Sequence, residues 1–218
     1  YFYNNIGILY QSTQHYDSAI NYFQKALVYL NDIKDKQGIA SCYSNIGIMH
    51  KNTLQLDESL NYFLKAKKIF EETGDSLSLI SVYSNIAAVN FQFAKQSQAN
   101  STQKRQFYKK VVSNAEIAFS MAKSKDLLSE INLNAFHLQY AYQELGNISK
   151  ALHFSNIYIQ TQDSLVKQEK NRSIELLVEK FEVEKLQKQQ EYNIEIIKRH
   201  EEVNNKQRII IIVSTIGF

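Results

Sequence analysis

Proline is absent from the 218 residues and glycine occurs six times. With so few breakers, and with Leu, Ile, Lys, Gln, Glu and Asn abundant, long helices are expected and an all-α fold follows. Cysteine is confined to Cys42, which excludes an internal disulfide framework and a multi-cysteine zinc site. An excess of one charge is missing too. The 25 basic and 22 acidic residues are interleaved and leave a net charge of only +3, so no one-signed stripe exists for nucleic acid and no direct nucleic-acid partner is expected. There is no Gly-rich phosphate loop and no Gly-x-Ser-x-Gly elbow. His15, His50, His137, His153 and His200 lack a second His, Cys or acidic cluster at metal-ligand spacing. Neither catalysis by this chain nor a cofactor or metal is expected.

What the sequence does contain is an echo. Tyr3-x-Asn5-Ile6-Gly7 returns forty residues later as Tyr43-x-Asn45-Ile46-Gly47, and again as Tyr83-x-Asn85-Ile86-Ala87. Asp17, Asn21-Tyr22-Phe23 and Lys25-Ala26 return as Asp57, Asn61-Tyr62-Phe63 and Lys65-Ala66. Each unit holds two stretches with helical steps of three and four residues, one through Tyr3, Ile6 and Tyr10, the other through Ala19, Phe23 and Ala26. Small residues at Gly7, Ala19 and Ala26 sit where two helices approach closely, and Tyr3, Tyr10 and Phe23 fill the space between.

This pattern resembles the tetratricopeptide repeat, whose aromatic, Leu-Gly, Tyr, Ala, Phe and Ala positions read here as Tyr3, Ile6-Gly7, Tyr10, Ala19, Phe23 and Ala26. The second unit reads Tyr43, Ile46-Gly47, His50, Ser59, Phe63 and Ala66, and the third begins with Tyr83, Ile86-Ala87 and Asn90. The period of forty exceeds the family's usual thirty-four. The resemblance implies a right-handed superhelical solenoid that binds other proteins.

The echo breaks after Phe93, and residues 95–104 read as a polar insertion. A degenerate fourth unit follows through Leu138, Tyr142, Leu145-Gly146-Asn147 and Ala151, so about four helix pairs are expected over residues 1–161. Residues 162–208 turn to Lys, Glu, Gln and Asn and read as one long helix. Ile174, Leu177 and Phe181 make a coiled-coil step, but the next seam positions fall on Glu184 and Lys188. A homodimer through this stalk is one expected use. Residues 209–218 are uncharged and directly follow Lys206-Gln207-Arg208; they read as the start of a membrane helix, which needs about 20 apolar residues in all. The chain opens inside a repeat and stops inside this run, as a fragment of a longer protein would.

The repeated Asn is the candidate site. In tetratricopeptide arrays the first helix of each unit lines the concave face, and in several members an Asn before the Leu-Gly position bonds the backbone of an extended peptide. The resemblance carries that role to Asn5, Asn45 and Asn85, with Asn4, Ser44, Ser84, Gln11, Lys51 and Phe91 on the same face. An amide suits it because it donates and accepts; the alternative is that each Asn serves a neighbouring helix. The Lys and Arg clamp of chaperone-binding members is not reproduced: the positions hold Asn4, Ile8, Ser81 and Asn85, and only Asn45 matches. Any ligand is therefore expected to be read through amides, hydroxyls and aromatics.

The layout of repeats, charged stalk and Ile run resembles the sensory portion of membrane-bound regulators of the Bacteroidetes group, in which such repeats lie outside the cytoplasmic membrane and precede a histidine kinase or DNA-binding domain. That resemblance implies a periplasmic, membrane-anchored input module with a protein or peptide ligand. A soluble cytoplasmic scaffold remains the alternative.

Overall fold

The computed structural model describes residues 2–97 and 102–216, with the backbone alone from residue 208 onward. Among these residues all regular structure is helical: α1 (Phe2–Ser12), α2 (Tyr16–Asp32), α3 (Lys36–Asn52), α4 (Leu56–Thr73), α5 (Ser76–Gln96), α6 (Thr102–Lys123), α7 (Leu128–Glu144) and α8 (Ile148–Ile216).

Short connectors join the helices from α1 to α5 and from α6 to α8. Asp35 and Asp75, forty residues apart, cap α3 and α5; their carboxylates accept from the backbone N–H of Gly38 at 2.9 Å and of Ser78 at 3.1 Å. Such a cap satisfies a donor that the helix itself leaves unpaired. The turns within units close with one backbone pattern: His15 N–H donates to Tyr10, Gln55 N–H to His50 and Asn147 N–H to Tyr142. Each needs a left-handed residue just before the closing N–H, and Gln14, Leu54 and Gly146 take φ of 60°, 60° and 83°. Lys34 and Gly74 do the same between units, at 56° and 71°. Glycine removes the Cβ clash that the other residues bear there.

Inside a unit the packing is a ring set against a gap. A Cβ added at Gly47 would lie 2.9 Å from Cε1 of Phe63, and one at Gly7 would lie 2.6 Å from the same atom of Phe23. Both phenyl rings are fully buried, so the glycines let α1 and α3 ride directly on α2 and α4. In the second unit Ser59 replaces Ala19, and its buried hydroxyl donates to the Gly47 carbonyl at 2.8 Å. The repeated Lys25 and Lys65 lie over the rings of Tyr22 and Tyr62, each at 5.0 Å. In the third unit Ala87 replaces glycine and is buried in one apolar cluster with Tyr108, Val111 and Ala115 of α6.

Helix covers both ends of the stretch expected as a polar insertion. α5 continues through Gln96 and α6 begins at Thr102. Phe93 stacks on Phe107 with centroids 5.0 Å apart, and Lys104 pairs with Glu144 at 2.8 Å. Residues 98–101 of that stretch lie outside the described residues. α5 is, among the described residues, the one helix long and apolar enough to cross a membrane, yet half of that stretch is buried inside the array. Its apolarity belongs to the core it shares with α4, α6 and α7.

The chain divides into two compact units, Tyr1–Leu165 and Val166–Phe218. In the first, the start of α8 closes the array: Phe154 is buried, and Asn132 on α7 donates to the Tyr158 carbonyl at 3.0 Å and the Thr161 hydroxyl at 2.9 Å. The second unit consists of α8 beyond Val166. The run expected to begin a membrane helix continues α8 as far as Ile216; residues 217 and 218 lie outside the described residues.

Candidate peptide-binding face

The odd-numbered helices form one face because they touch one another, α3 with α5 and α5 with α7. Among the described residues α2, α4 and α6 make no comparable contact with each other. The first helices of successive units thus share one face, and the repeated Asn sits on α1, α3 and α5.

The rungs of this ladder differ in state. Asn5 on α1 is exposed and Asn45 on α3 is half-buried, and neither side chain has a hydrogen-bond partner among the described residues. Asn45 lines a hollow of about 190 Å³ between α3 and α5 with Ser41, Ser44, Ser78, Ser81 and Phe70. A second hollow, about 300 Å³, lies between α1 and α3 and includes Asn4, Gln37, Gly38 and the same Ser41. Asn4 also accepts a long 3.5 Å contact from the Cys42 thiol; burial pushes that thiol up to about 11, so it stays protonated near neutrality. Gln11 is half-buried on α1.

Asn85 is engaged at both ends of its amide. Its Nδ2 donates to the Ser81 carbonyl at 2.9 Å, and its Oδ1 accepts from Lys51 Nζ at 2.6 Å. Burial holds the Lys51 ammonium below its ordinary range, against the opposing pull of Glu130. The hydroxyl of Ser84 does not lie on the open face: it is 1% exposed. It faces Glu130 Oε2 and the Ile80 carbonyl, each at 2.9 Å, and accepts from Asn134 Nδ2 at 2.8 Å. Phe91 is likewise closed in, with Tyr108, Phe136, His137 and Tyr140 around its ring.

Glu130, Asn134 and His137 on α7 carry no repeat signature in the sequence, because the fourth unit lacks the Asn-Ile-Gly motif. The turn pattern supplies the missing register. His137 stands five residues before Tyr142, as Asn5 stands before Tyr10 and Asn45 before His50, so it is the fourth rung. It is 5% exposed, and its Nδ1 has no partner among the described residues. Burial first, then the positive charge of Lys51, lowers it to about 4, which keeps the ring neutral at ordinary pH. Chemically, the first two units leave the Asn5 and Asn45 amides without partners among the described residues, although the Ser41 hydroxyl donates to the Gln37 carbonyl at 2.9 Å, whereas Asn85, Ser84 and Asn134 are spent on holding α3, α5 and α7 together. Among the described residues no three His, Cys, Asp or Glu side chains gather as a metal site.

Two tetratricopeptide-repeat family models match the chain, one over residues 1–27 and one over residues 39–73. No curated protein matches. Among solved structures, BtubC (BKLC) from P. vanneervenii is similar with a TM-score of 0.58 at 14% identity, over 75% of this chain and 63% of that one. Aspartyl phosphate phosphatase F from Bacillus subtilis gives 0.44 at 19% identity, over 73% of this chain and 48% of that one. The apo form of RapI gives 0.43 at 16% identity, over 72% and 50%. The chain thus spans less than two thirds of each of these proteins, and at such identities the likeness concerns the fold alone. Residues 1–27 and 39–73 thus match tetratricopeptide repeats, within an all-α superhelical array of helix pairs.

Proposed function

We propose that the array is a non-catalytic module whose inner face binds an extended peptide segment, beginning at the first two units. The observation that carries this reading is Asn45, an amide without an internal partner beside a serine-lined hollow between two first helices. An extended backbone offers alternating donors and acceptors, which the unspent amide and the Ser44 hydroxyl match, while the oxygens of Ser41 and Ser78, whose protons go to the Gln37 carbonyl and the Asp75 carboxylate, keep room to accept. Asn5 and Asn4 continue the surface, while Asn85 and Lys51 form its stiff far wall. The test is to select peptides from a display library against the whole chain and to compare their affinity for Asn5→Asp and Asn45→Asp with that for Asp17→Asn on α2. Loss confined to the two inner-face variants supports the site; equal loss in all three, or none, removes it.

The same reading extends to the rest of the chain as the input part of a membrane-anchored regulator, with the repeats on the periplasmic side and the stalk as a self-association segment. The uncharged run after Lys206-Gln207-Arg208 is what supports it. Flotation of the chain with phospholipid vesicles, with and without residues 209–218, checks the anchor. Flotation that needs those residues supports it, and a chain that stays unbound favours the cytoplasmic scaffold.

A further inference from the structure

The stalk has a periodicity that the coiled-coil step at its start conceals. Phe181, Tyr192 and Val203 recur every eleven residues, as do Leu186 with Ile197 and Val183 with Ile194. Three turns of α-helix take about 11 residues, so residues so spaced stay on one side, whereas a seven-residue seam drifts. This is why the heptad fails at Glu184 and Lys188. Laid on the helix, Ile174, Leu177, Phe181, Tyr192, Ile196 and Val203 form one apolar seam, and Leu176, Val183, Leu186, Ile194 and Ile197 form another on the opposite side. Phe181, Tyr192 and Val203 are 68%, 59% and 52% exposed, so among the described residues nothing covers the first seam.

Charge indicates what does. Lys185, Lys188 and Arg199 interrupt the first seam, and one of its edges is acidic, with Glu184, Glu191, Glu195 and Glu202. The other edge carries a single acid, Glu182, near Lys185, Gln189 and His200. In a parallel pair each acidic edge meets the partner's other edge and lies within reach of its seam bases; in an antiparallel pair the two acidic edges meet and repel. A shallow hollow beside Phe181, lined by Glu184, Lys185, Lys188 and Gln189, leaves room for a side chain from outside.

We infer that a second copy of this chain pairs with the first in parallel and in register along the seam of Ile174, Leu177, Phe181, Tyr192, Ile196 and Val203, with an eleven-residue repeat. The pairing rests on the reading of the stalk as a self-association segment and goes beyond it by fixing seam, direction and period. An eleven-residue repeat winds the pair gently right-handed, opposite to a heptad coil.

The experiment uses the whole chain with Cys42→Ala, carrying one new cysteine at a time: Phe181→Cys, Val203→Cys, Leu186→Cys or Ile197→Cys. Mild oxidation is read on a non-reducing gel, and sedimentation equilibrium of the unlabelled chain gives its mass. A dimer mass, with self-crosslinking of the 181 and 203 variants and none of the 186 and 197 variants, is the expected result. Crosslinks at 186 and 197, or crosslinks that require mixing the 181 and 203 variants, overturn the seam or the direction while leaving self-association standing. A monomer at every concentration overturns both. Lys188→Glu supplies a reading without cysteines: its added acid on the seam weakens the dimer at least tenfold if the charge argument holds, and no change contradicts it.

Discussion

The first two units and the last two solve one problem, stacking a helix on a helix pair, by different means. In α1 to α4 the contact is steric: a phenyl ring fills the gap above a glycine, and the polar residues of the inner face are left over. In α5 to α8 no ring is set over a glycine; an apolar cluster running from Ala87 to Phe154 fills the core and buried polar groups add ties, with Ser84, Asn134 and Glu130 joining α5 to α7 and Lys51 joining α3 to α5. A polar side chain is available to a ligand only where packing does not already need it. The repeated Asn is open at Asn5 and Asn45, spent at Asn85, and replaced at the fourth rung by a buried histidine.

Breaking the steric half should cost most. Phe63→Ala empties a fully buried ring site between α3 and α4 and is expected to lower stability by about 3–5 kcal/mol in denaturant unfolding. The polar half should respond to pH instead. His137 is held near 4 in the fold, below its ordinary value of about 6.5, so the unfolded chain binds the extra proton between those values. Stability therefore falls as pH drops from 6.5 toward 4, by on the order of 3 kcal/mol at most. Melting curves across that window should flatten in His137→Gln.

Asn134→Ala comes next. It leaves the buried Ser84 hydroxyl without its donor and removes a tie between α5 and α7, at a cost of about 1–3 kcal/mol; a change that leaves the melting temperature unmoved would make the network incidental. The smallest effect sharpens the comparison of turns. Leu54 holds a left-handed φ that Gly74 adopts freely and is itself exposed, so Leu54→Gly should raise stability by about 1 kcal/mol, where glycine's added freedom in the unfolded chain does not cancel it.

These differences follow what was legible. The Tyr-x-Asn-Ile-Gly echo located α1, α3 and α5, since small residues under rings are read directly from letters repeating at forty. The fourth rung was hidden because its register is carried by backbone bonds at Tyr142 and Asn147 rather than by a repeated side chain. Ser84 looked like Ser44 in sequence, and only Asn134 and Glu130, fifty and forty-six residues away, turn it inward. The stalk's eleven-residue spacing was masked by the seven-residue step through Ile174, Leu177 and Phe181, which both periods share.

The central claim is that the ladder's Asn is free in the second unit and structural in the third. It is tested most directly by measuring, on Asn45→Ala and Asn85→Ala, both the melting temperature and the affinity for a peptide selected on the unaltered chain. The expected result is an unchanged melting temperature with at least tenfold weaker binding for Asn45→Ala, and a lowered melting temperature for Asn85→Ala. A melting temperature lowered by Asn45→Ala with affinity unchanged would contradict it.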